Sequence, residues 1–270
     1  MKEKKAVNSD CVLVVAGSDC SAGAGIQADL KTCSALGVYA ATAITAITAQ
    51  NSLGVTQIEL VSPELVAQQM RSVLADLPVA VIKIGMLGSG AIVTAVCSVL
   101  EEYPQVPVVL DPVILSSSGR QLLDGVGKNV LIEKLLPLVS LLTPNLAEAA
   151  DLLGLSLKQV SQQPEEAARA LSDFGVAAVL IKGGHAEGDV CEDLLWSEGE
   201  LSQFVAPRLA VVNDHGTGCT LASAIAAGLA KGLLLSQAMA QAKEYLTRTL
   251  SSADRFNRGQ GRGALNHFDW

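Results

Sequence analysis

One order of events recurs along this chain: a short apolar run, a polar or glycine-containing end, then residues at helical spacing. Residues 11–16 are apolar and run into Gly17-Ser18-Asp19-Cys20-Ser21-Ala22-Gly23-Ala24-Gly25, after which 26–36 continue as a helix stopped by Gly37. The β-branched run 39–49 ends at Gln50-Asn51. Ser62-Pro63-Glu64 opens a helix with an N-cap, a proline and an acid in its first turn. Leu65, Val66, Met70, Val73, Leu74 and Leu77 form the apolar face of that helix. The run 79–84 ends at Gly85-Met86, 106–110 at Asp111-Pro112, 138–142 at Thr143-Pro144-Asn145 and 176–181 at Lys182-Gly183-Gly184. Helices are predicted between these runs over 91–100, 146–153 and 164–174, the last closed by Gly175. Such alternation predicts a doubly wound α/β sheet with right-handed crossovers. The polar residues gather after strands, at the edge where such sheets bind ligands.

Residues 194–212 break the pattern, and a turn at Ser197-Glu198-Gly199-Glu200 predicts a hairpin on the sheet's edge. Helices then resume, the last over 236–250, and Asn257-Arg258-Gly259-Gln260-Gly261-Arg262-Gly263 predicts an extended C-terminal arm. With no internal repeat and no break in composition, a single domain over 1–270 is expected, with a flexible N-terminus over 1–10 and the arm over 251–270. Half of the residues are hydrophobic but only 3% are aromatic, so Ala, Val, Leu and Ile build a core suited to a largely parallel sheet covered by helices. The formal net charge of -8 argues against nucleic acid or a membrane surface as the main partner. Cys11, Cys20, Cys33, Cys97, Cys191 and Cys219 form no C-x-x-C pair and read as reduced thiols. No signal-peptide stretch follows Met1-Lys2-Glu3-Lys4-Lys5 and no run has the length of a membrane span, so a cytoplasmic protein is expected.

Chemistry concentrates at Asn213-Asp214-His215-Gly216-Thr217-Gly218-Cys219-Thr220, which leads into the small and apolar residues of a helix. A glycine turn opening a helix leaves backbone N–H groups unpaired, and the helix dipole makes the spot an anion pocket. Cys219 falls in the first turn, where that field is expected to lower the thiol pKa and favour thiolate. An anion pocket beside a base is what phosphoryl transfer to an alcohol requires. The same residues also suit a tight loop followed by a buried small hydrophobe. Asp111, Asn145 and Glu148 can gather around one cation, because Asn145 and Glu148 share a helix face. Sparse carboxylates suit Mg²⁺ with a nucleotide better than a dedicated metal cage. The plainer alternative has Asn145 capping its helix and Glu148 solvated.

Lys182, between a strand and two glycines, is placed to meet a phosphate, and Gln50 offers a donor and an acceptor to a heterocyclic edge. Asp29 lies one turn into the first helix, within reach of a substrate hydroxyl or simply exposed. His185, His215 and His267 have no metal or triad spacing, and His215 is retained only as a pocket-lining residue. The first loop is neither G-x-G-x-x-G nor followed by GK[ST], so a Rossmann dinucleotide site and a P-loop are both unsupported.

Several segments, in order, strongly resemble one family: Ala16-Gly17-Ser18-Asp19 with Gly23-Ala24-Gly25-Ile26-Gln27-Ala28-Asp29-Leu30-Lys31, Thr48-Ala49-Gln50-Asn51 and Lys83-Ile84-Gly85-Met86-Leu87. The series continues with Leu110-Asp111-Pro112-Val113, Thr143-Pro144-Asn145-Leu146-Ala147-Glu148-Ala149, Lys182-Gly183-Gly184-His185 and His215-Gly216-Thr217-Gly218-Cys219-Thr220-Leu221, and Asn266-His267-Phe268 resembles a C-terminal signature. The family is that of the hydroxymethylpyrimidine/phosphomethylpyrimidine kinases of thiamine biosynthesis, in the ribokinase-like superfamily. The resemblance implies a ribokinase-like three-layer αβα sandwich with a central, mostly parallel sheet and a small edge hairpin. It implies an ATP- and Mg²⁺-dependent kinase acting on 4-amino-5-hydroxymethyl-2-methylpyrimidine and then on its monophosphate, with a homodimer expected. By position, Gln50 reads the aminopyrimidine edge, and Asp29, Gly17, Met86 and Val113 line the pyrimidine pocket. Asn145 and Glu148 match an N-x-x-E element that organises magnesium and phosphate, with Asp111 beside them as a second metal contact, direct or through water. Lys182 and Thr217 match nucleotide contacts, Gly216, Thr217 and Gly218 the anion hole, and Cys219 the catalytic base.

Two departures bear on substrate fit. Cys20 and Ala22 stand where the family's first loop has Pro and Gly, which is expected to loosen the loop and to place a β-carbon where a positive φ is wanted. Val113-Ile114-Leu115-Ser116-Ser117-Ser118-Gly119 is a variant of the usual segment. The nearest alternative is a pyridoxal or dual-specificity kinase with the same cysteine, and a more distant one is a non-catalytic pyrimidine-binding protein.

Overall fold

The computed structural model describes residues 10–116, 119–183, 189–255 and 259–268. The chain runs β1 (Cys11–Asp19), α1 (Gly25–Ala35), β2 (Tyr39–Asn51), β3 (Gly54–Leu60), α2 (Pro63–Asp76), β4 (Val81–Ile84), α3 (Gly90–Glu102), β5 (Val108–Leu110) and α4 (Gly125–Val130). It continues with β6 (Leu141–Leu142), α5 (Leu146–Leu153), α6 (Leu157–Gln162), α7 (Pro164–Ser172), β7 (Ala178–Ile181), β8 (Val190–Ser197), β9 (Glu200–Pro207), α8 (Thr217–Ala230) and α9 (Leu235–Ser251). Among the described residues nine strands form one sheet, ordered β3-β2-β1-β4-β5-β6-β7-β8-β9. The six from β2 to β7 are parallel, and β3, β8 and β9 pair antiparallel at the two edges.

Strand alternation sends successive side chains to opposite faces, and this sorts the core into two layers. Leu13, Val15, Ile82, Ile84, Val108, Leu110, Leu142, Val179 and Ile181 pack under α2, α3, α5, α6 and α7. Val12, Val14, Ala16, Val81, Val109, Leu141, Ala178 and Leu180 pack under α1, α8 and α9. The result is the three-layer αβα sandwich. By the same alternation Lys83 follows Val81, Asp111 follows Val109, Thr143 follows Leu141 and Lys182 follows Leu180 onto the face that α1 and α8 cover. From β1 the chain goes out to β2 and β3 on one side, then returns to β4 on the other. A crevice opens at such a reversal, outside the carboxyl ends of the strands.

The expected cap is formed, Ser62 Oγ accepting from Leu65 N, and two unanticipated ones join it: Ser89 Oγ accepts from Ile92 N, and Gly154 closes α5 at φ 66°. The hairpin expected over 194–212 is displaced. It runs from Val190 to Pro207, in register from Val190↔Pro207 to Ser197↔Glu200, because the mixed residues before Leu194 already pair. Its turn is where the sequence put it, with Glu198 and Gly199 both at positive φ. β3 had no sequence signal, since its residues are mostly exposed. β1 and β2 begin with their apolar runs, whereas β4, β5, β6 and β7 begin two or three residues later, because Val79, Val106, Val139 and Val176 pack against the core ahead of the ladder. The C-terminal segment is docked, not loose: Ala264 bridges to His215, and Leu265, Asn266 and His267 are buried. Asn257 and Arg258 lie outside the described residues, as does the N-terminus over 1–9. No helix of the described residues is long and apolar enough to cross a membrane.

Candidate active site

A cavity of about 1400 Å³ opens beyond the carboxyl ends of the strands. Gly17, Gln50, Met86, Val113, Asp111, Asn145, Glu148, Lys182, Gly216, Thr217, Gly218 and Cys219 all line it. Residues from seven separate segments are thus brought together by the sheet. His185 and Gly184 lie outside the described residues.

Asp19 organises the first loop. Its carboxylate accepts from Ser21 N (2.8 Å), Ser21 Oγ (2.7 Å), Gly23 N (3.1 Å) and Ala24 N (2.8 Å), and His215 Nε2 lies 3.0 Å away. Burial pushes this carboxyl up, but His215, Ser21 and the Ala24 N–H outweigh it and hold the pKa at about 2. A folded-state value below the ordinary 3.8 means that this stabilisation is complete above that pH and is lost as pH falls toward 2. Asp19→Asn is therefore expected to cost about 2 kcal/mol at neutral pH and almost nothing in acid, measured by thermal melts at both.

Ala22 adopts φ 63°, the left-handed conformation that its β-carbon opposes. Ala22→Gly should stabilise the fold by about 0.5–1 kcal/mol, the relief being partly offset by the flexibility of glycine when unfolded. An unchanged melting temperature would refute this. The proline that Cys20 replaces is compensated differently from expectation. The Cys20 thiol donates to Gln50 O (3.1 Å) and accepts from Gln50 N (3.2 Å), tying the loop to the end of β2.

At the same end of the cavity the Gln50 side-chain amide lies 3.0 Å from His215 Nε2, and Thr48 Oγ1 donates to Gln50 Oε1 at 3.3 Å. A β-carbon at Gly17 would stand 3.0 Å from Met86 Sδ, so glycine there keeps this end open. Asp29, expected in the pocket lining or in solvent, is in neither. It is fully buried below the cavity, paired with Lys83 at 2.8 Å.

At the opposite end Lys182 Nζ donates to Asp111 Oδ1 at 2.6 Å and stands 3.9 Å from Glu148 Oε2. Burial works against the ammonium, but Asp111 and Glu148 more than offset it and raise its pKa. Burial also raises the Glu148 carboxyl, with Lys182 opposing. Asn145 does cap its helix: its Oδ1 accepts from Glu148 N (2.9 Å) while Glu148 Oε2 accepts from Asn145 N (2.8 Å), a capping box. The plain alternative for Asn145 therefore holds, whereas Glu148 is not freely solvated but half-buried in the cavity wall, its side chain 11% exposed. Among the described residues no group of three or more His, Cys, Asp or Glu is placed to hold a metal by itself. Two carboxylates already engaged by an ammonium and a backbone N–H fit Mg²⁺ only through water, with phosphate oxygens completing its shell.

Gly216 opens α8 at φ 90°, and a β-carbon on it would fall 2.0 Å from Gly23 O. Only glycine lets the two loops touch. No side chain caps this helix. Thr217 turns inward, its N–H and hydroxyl both donating to Asp214 O, at 3.3 and 2.6 Å, so its expected part in the anion hole falls to its neighbours Gly218 and Cys219. Gly218 lies against the charged cluster: a β-carbon there would be 3.2 Å from Asp111 Oδ2 and 3.3 Å from Lys182 Nζ. The expectation of a lowered Cys219 pKa is overturned. Burial pushes the thiol up to about 12, with Asp29 and Asp111 adding to it, while Lys83, Lys182 and the Gly25 N–H pull the other way. The helix field is outweighed because the thiol, half-buried in the cavity wall, is partly withdrawn from water and feels two carboxylates.

The profile of the family described as phosphomethylpyrimidine kinase matches residues 19–266. This chain belongs to that family. Its phosphomethylpyrimidine kinase relatives include the hydroxymethylpyrimidine/phosphomethylpyrimidine kinase of Rhizobium meliloti, 49% identical over 256 residues, covering 95% of this chain and 96% of that protein. The enzyme of the same name from Escherichia coli is 44% identical over 256 residues, with the same coverage. Among solved structures, the phosphomethylpyrimidine kinase of Clostridium difficile is 37% identical with TM-score 0.75, covering 88% of this chain and 97% of that one. An ADP complex of Bacillus subtilis pyridoxal kinase is 31% identical with TM-score 0.87, covering 96% and 97%.

Sequence reasoning left Asp19 and Lys83 of this phosphomethylpyrimidine kinase fold without a role, and gave His215 only a place in the pocket lining, where it stands. Asp19 sat within a quoted motif, yet its hold on the loop needs the loop's shape. His215 gave no spacing signal because both its partners are remote in sequence. Lys83 was hidden inside an apolar strand, although a lysine at a strand centre is itself a signal, being rarely buried unless paired.

Proposed function

We propose that this chain transfers the γ-phosphoryl group of ATP to the hydroxymethyl oxygen of 4-amino-5-hydroxymethyl-2-methylpyrimidine, and then a second phosphoryl group to the monophosphate. The observation that carries this reading is that one cavity is lined together by Gln50, Cys219, Gly218 and Lys182. Gln50 pairs with the aminopyrimidine edge, with Gly17, Met86 and Val113 around the ring. The Cys219 thiolate takes the hydroxyl proton as the oxygen attacks, and the Gly218 and Cys219 N–H groups and Lys182 meet the transferring phosphoryl. Asp111 and Glu148 would hold Mg²⁺ through water, and the ion would supply neutralisation of phosphate charge. A single domain acting in the cytoplasm as a homodimer completes the proposal.

The high TM-score with pyridoxal kinase favours a second reading, pyridoxal phosphorylation as a side activity. ATP consumption against hydroxymethylpyrimidine, its monophosphate and pyridoxal, with products identified by mass, tests both. Both pyrimidines should be turned over with pyridoxal far behind. Gln50→Ala should lower kcat/KM for the pyrimidine alcohol by about 10–100-fold, and for pyridoxal by less, because only the amino-bearing ring is left with an unpaired donor. Pyridoxal in front would move the assignment to vitamin B6 chemistry.

A further inference from the structure

Below the cavity floor lies a charged group for which the transfer scheme has no task. Lys83, on the central strand β4, and Asp29, on α1, are both fully buried and meet at 2.8 Å. Ser223 Oγ donates to the same Asp29 oxygen at 2.6 Å, and the other carboxylate oxygen, Oδ2, has no hydrogen-bond partner. Stability explains such a pair poorly, since packed hydrocarbon in its place is often neutral or stabilising.

Position explains it better. Ser223 is one helical turn after Cys219 on α8, so the two side chains lie on one face, one above the other. A β-carbon on Gly85, which lines the cavity together with Cys219, would stand 3.2 Å from Lys83 Nζ. The Gly25 N–H, at the start of the helix that carries Asp29, donates to the Cys219 thiol. Resting on the base role proposed for Cys219, we propose that Lys83 is the counter-ion of the Cys219 thiolate, and that Asp29, steadied by Ser223, fixes the ammonium in place and tempers its field.

The charges facing the thiol come from each packed element: Lys83 from β4, Asp29 from α1, Asp111 from the end of β5 and Lys182 from the end of β7. Of these, Lys83 favours the thiolate most and Lys182 adds to it, while Asp29 and Asp111 oppose it. When the thiol ionises, the S–H bond breaks, the proton leaves to solvent through the cavity and the electron pair stays on sulfur opposite Lys83. During transfer that pair takes the hydroxyl proton of the substrate, and the thiol is restored. Lys83 and Asp29 keep their own protonation states throughout.

The test follows alkylation of Cys219 by iodoacetamide in the whole protein, read by mass on the peptide that carries it, from neutral to alkaline pH. Lys83→Met, which keeps side-chain length without charge, should slow alkylation at fixed pH by about tenfold or more. Asp29→Asn, which keeps shape and removes the opposing charge, should speed it by about tenfold. General loosening of the fold would speed both, so the opposite signs belong to the proposal alone. Lys83→Met should also lower kcat for the alcohol far more than for the monophosphate, at unchanged KM for ATP. Unshifted alkylation in a folded variant, or shifts of one sign in both, overturns the proposal. If Lys83→Met does not fold, the sign for Asp29→Asn decides. If neither folds, Ser223→Ala decides: removing a donor from Asp29 strengthens its field and should slow alkylation about twofold, and an unchanged rate overturns the proposal. Failure of the base reading itself looks different, as undiminished turnover by Cys219→Ala, and leaves the wild-type titration measurable.

Discussion

Replacing Cys219 by alanine is expected to lower kcat for the pyrimidine alcohol by about 10²–10⁴-fold, the usual contribution of a positioned base. Nucleotide affinity should stay within about twofold, because the cluster of Lys182, Asp111 and Glu148 is left intact and the N–H groups of Gly218 and Cys219 belong to the backbone. The second acceptor separates this from general damage. A phosphomonoester is already largely ionised near neutral pH, having a second pKa of about 6, so its oxygen needs no base and that step should lose much less. The raised thiol adds a sign for pH. With the Cys219 pKa at about 12, the thiolate fraction is small at neutral pH and grows as pH rises, so wild-type kcat/KM for the alcohol should climb into the alkaline range. Steady-state kinetics with both acceptors, and ATP binding by calorimetry, check these statements. Equal losses with alcohol and monophosphate, or a flat alkaline profile, would place the proton elsewhere.

The fold was legible because each parallel strand announced itself with an apolar run and several helices with a cap or a closing glycine. Ser62, Asn145 and the glycines after α1 and α7 mark boundaries through local chemistry, and local chemistry is what a sequence carries. The antiparallel edges were less legible. β3 is mostly exposed, and the first residues of β8 are mixed, so pairing there depends on a neighbour and not on composition. For the site, segment ends such as Gln50, Asp111 and Lys182 were found since parallel strands deliver their ends to one edge. The depth of a residue below that edge was not readable. Asp29 looked like a pocket residue one turn into α1, but Lys83, far away in sequence, draws its carboxylate inward. Cys219 failed for a related reason: the helix field is a local property, whereas desolvation and the Asp29 and Asp111 charges are assembled by the tertiary fold.

Lys182→Met is the second change expected to have a large effect, because Lys182 serves two ends of the site at once. Its Nζ is held at 2.6 Å by Asp111 and reaches the first turn of α8, near the place a β-carbon on Gly218 would take. Removing one preorganised donor from developing phosphate charge commonly costs about 10²–10³-fold in kcat, and a similar loss is expected here with both acceptors. That even loss contrasts with the uneven one at Cys219. Stability should respond as well. Without the ammonium, Asp111 and Glu148 face each other, and Glu148, already raised by burial, binds its proton more tightly still. The folded variant then carries more protons than the unfolded chain over the range in which Glu148 titrates, so its stability must fall as pH rises through that range. Because Glu148 is already pushed up to about 7 with Lys182 present, melting of Lys182→Met against wild type at neutral and alkaline pH should show a gap that widens as pH rises above about 7, and Mg²⁺, by neutralising the same carboxylates, should narrow it. A gap that is constant with pH would mean that Lys182 contributes only packing, and that the charge it was taken to balance is balanced by solvent.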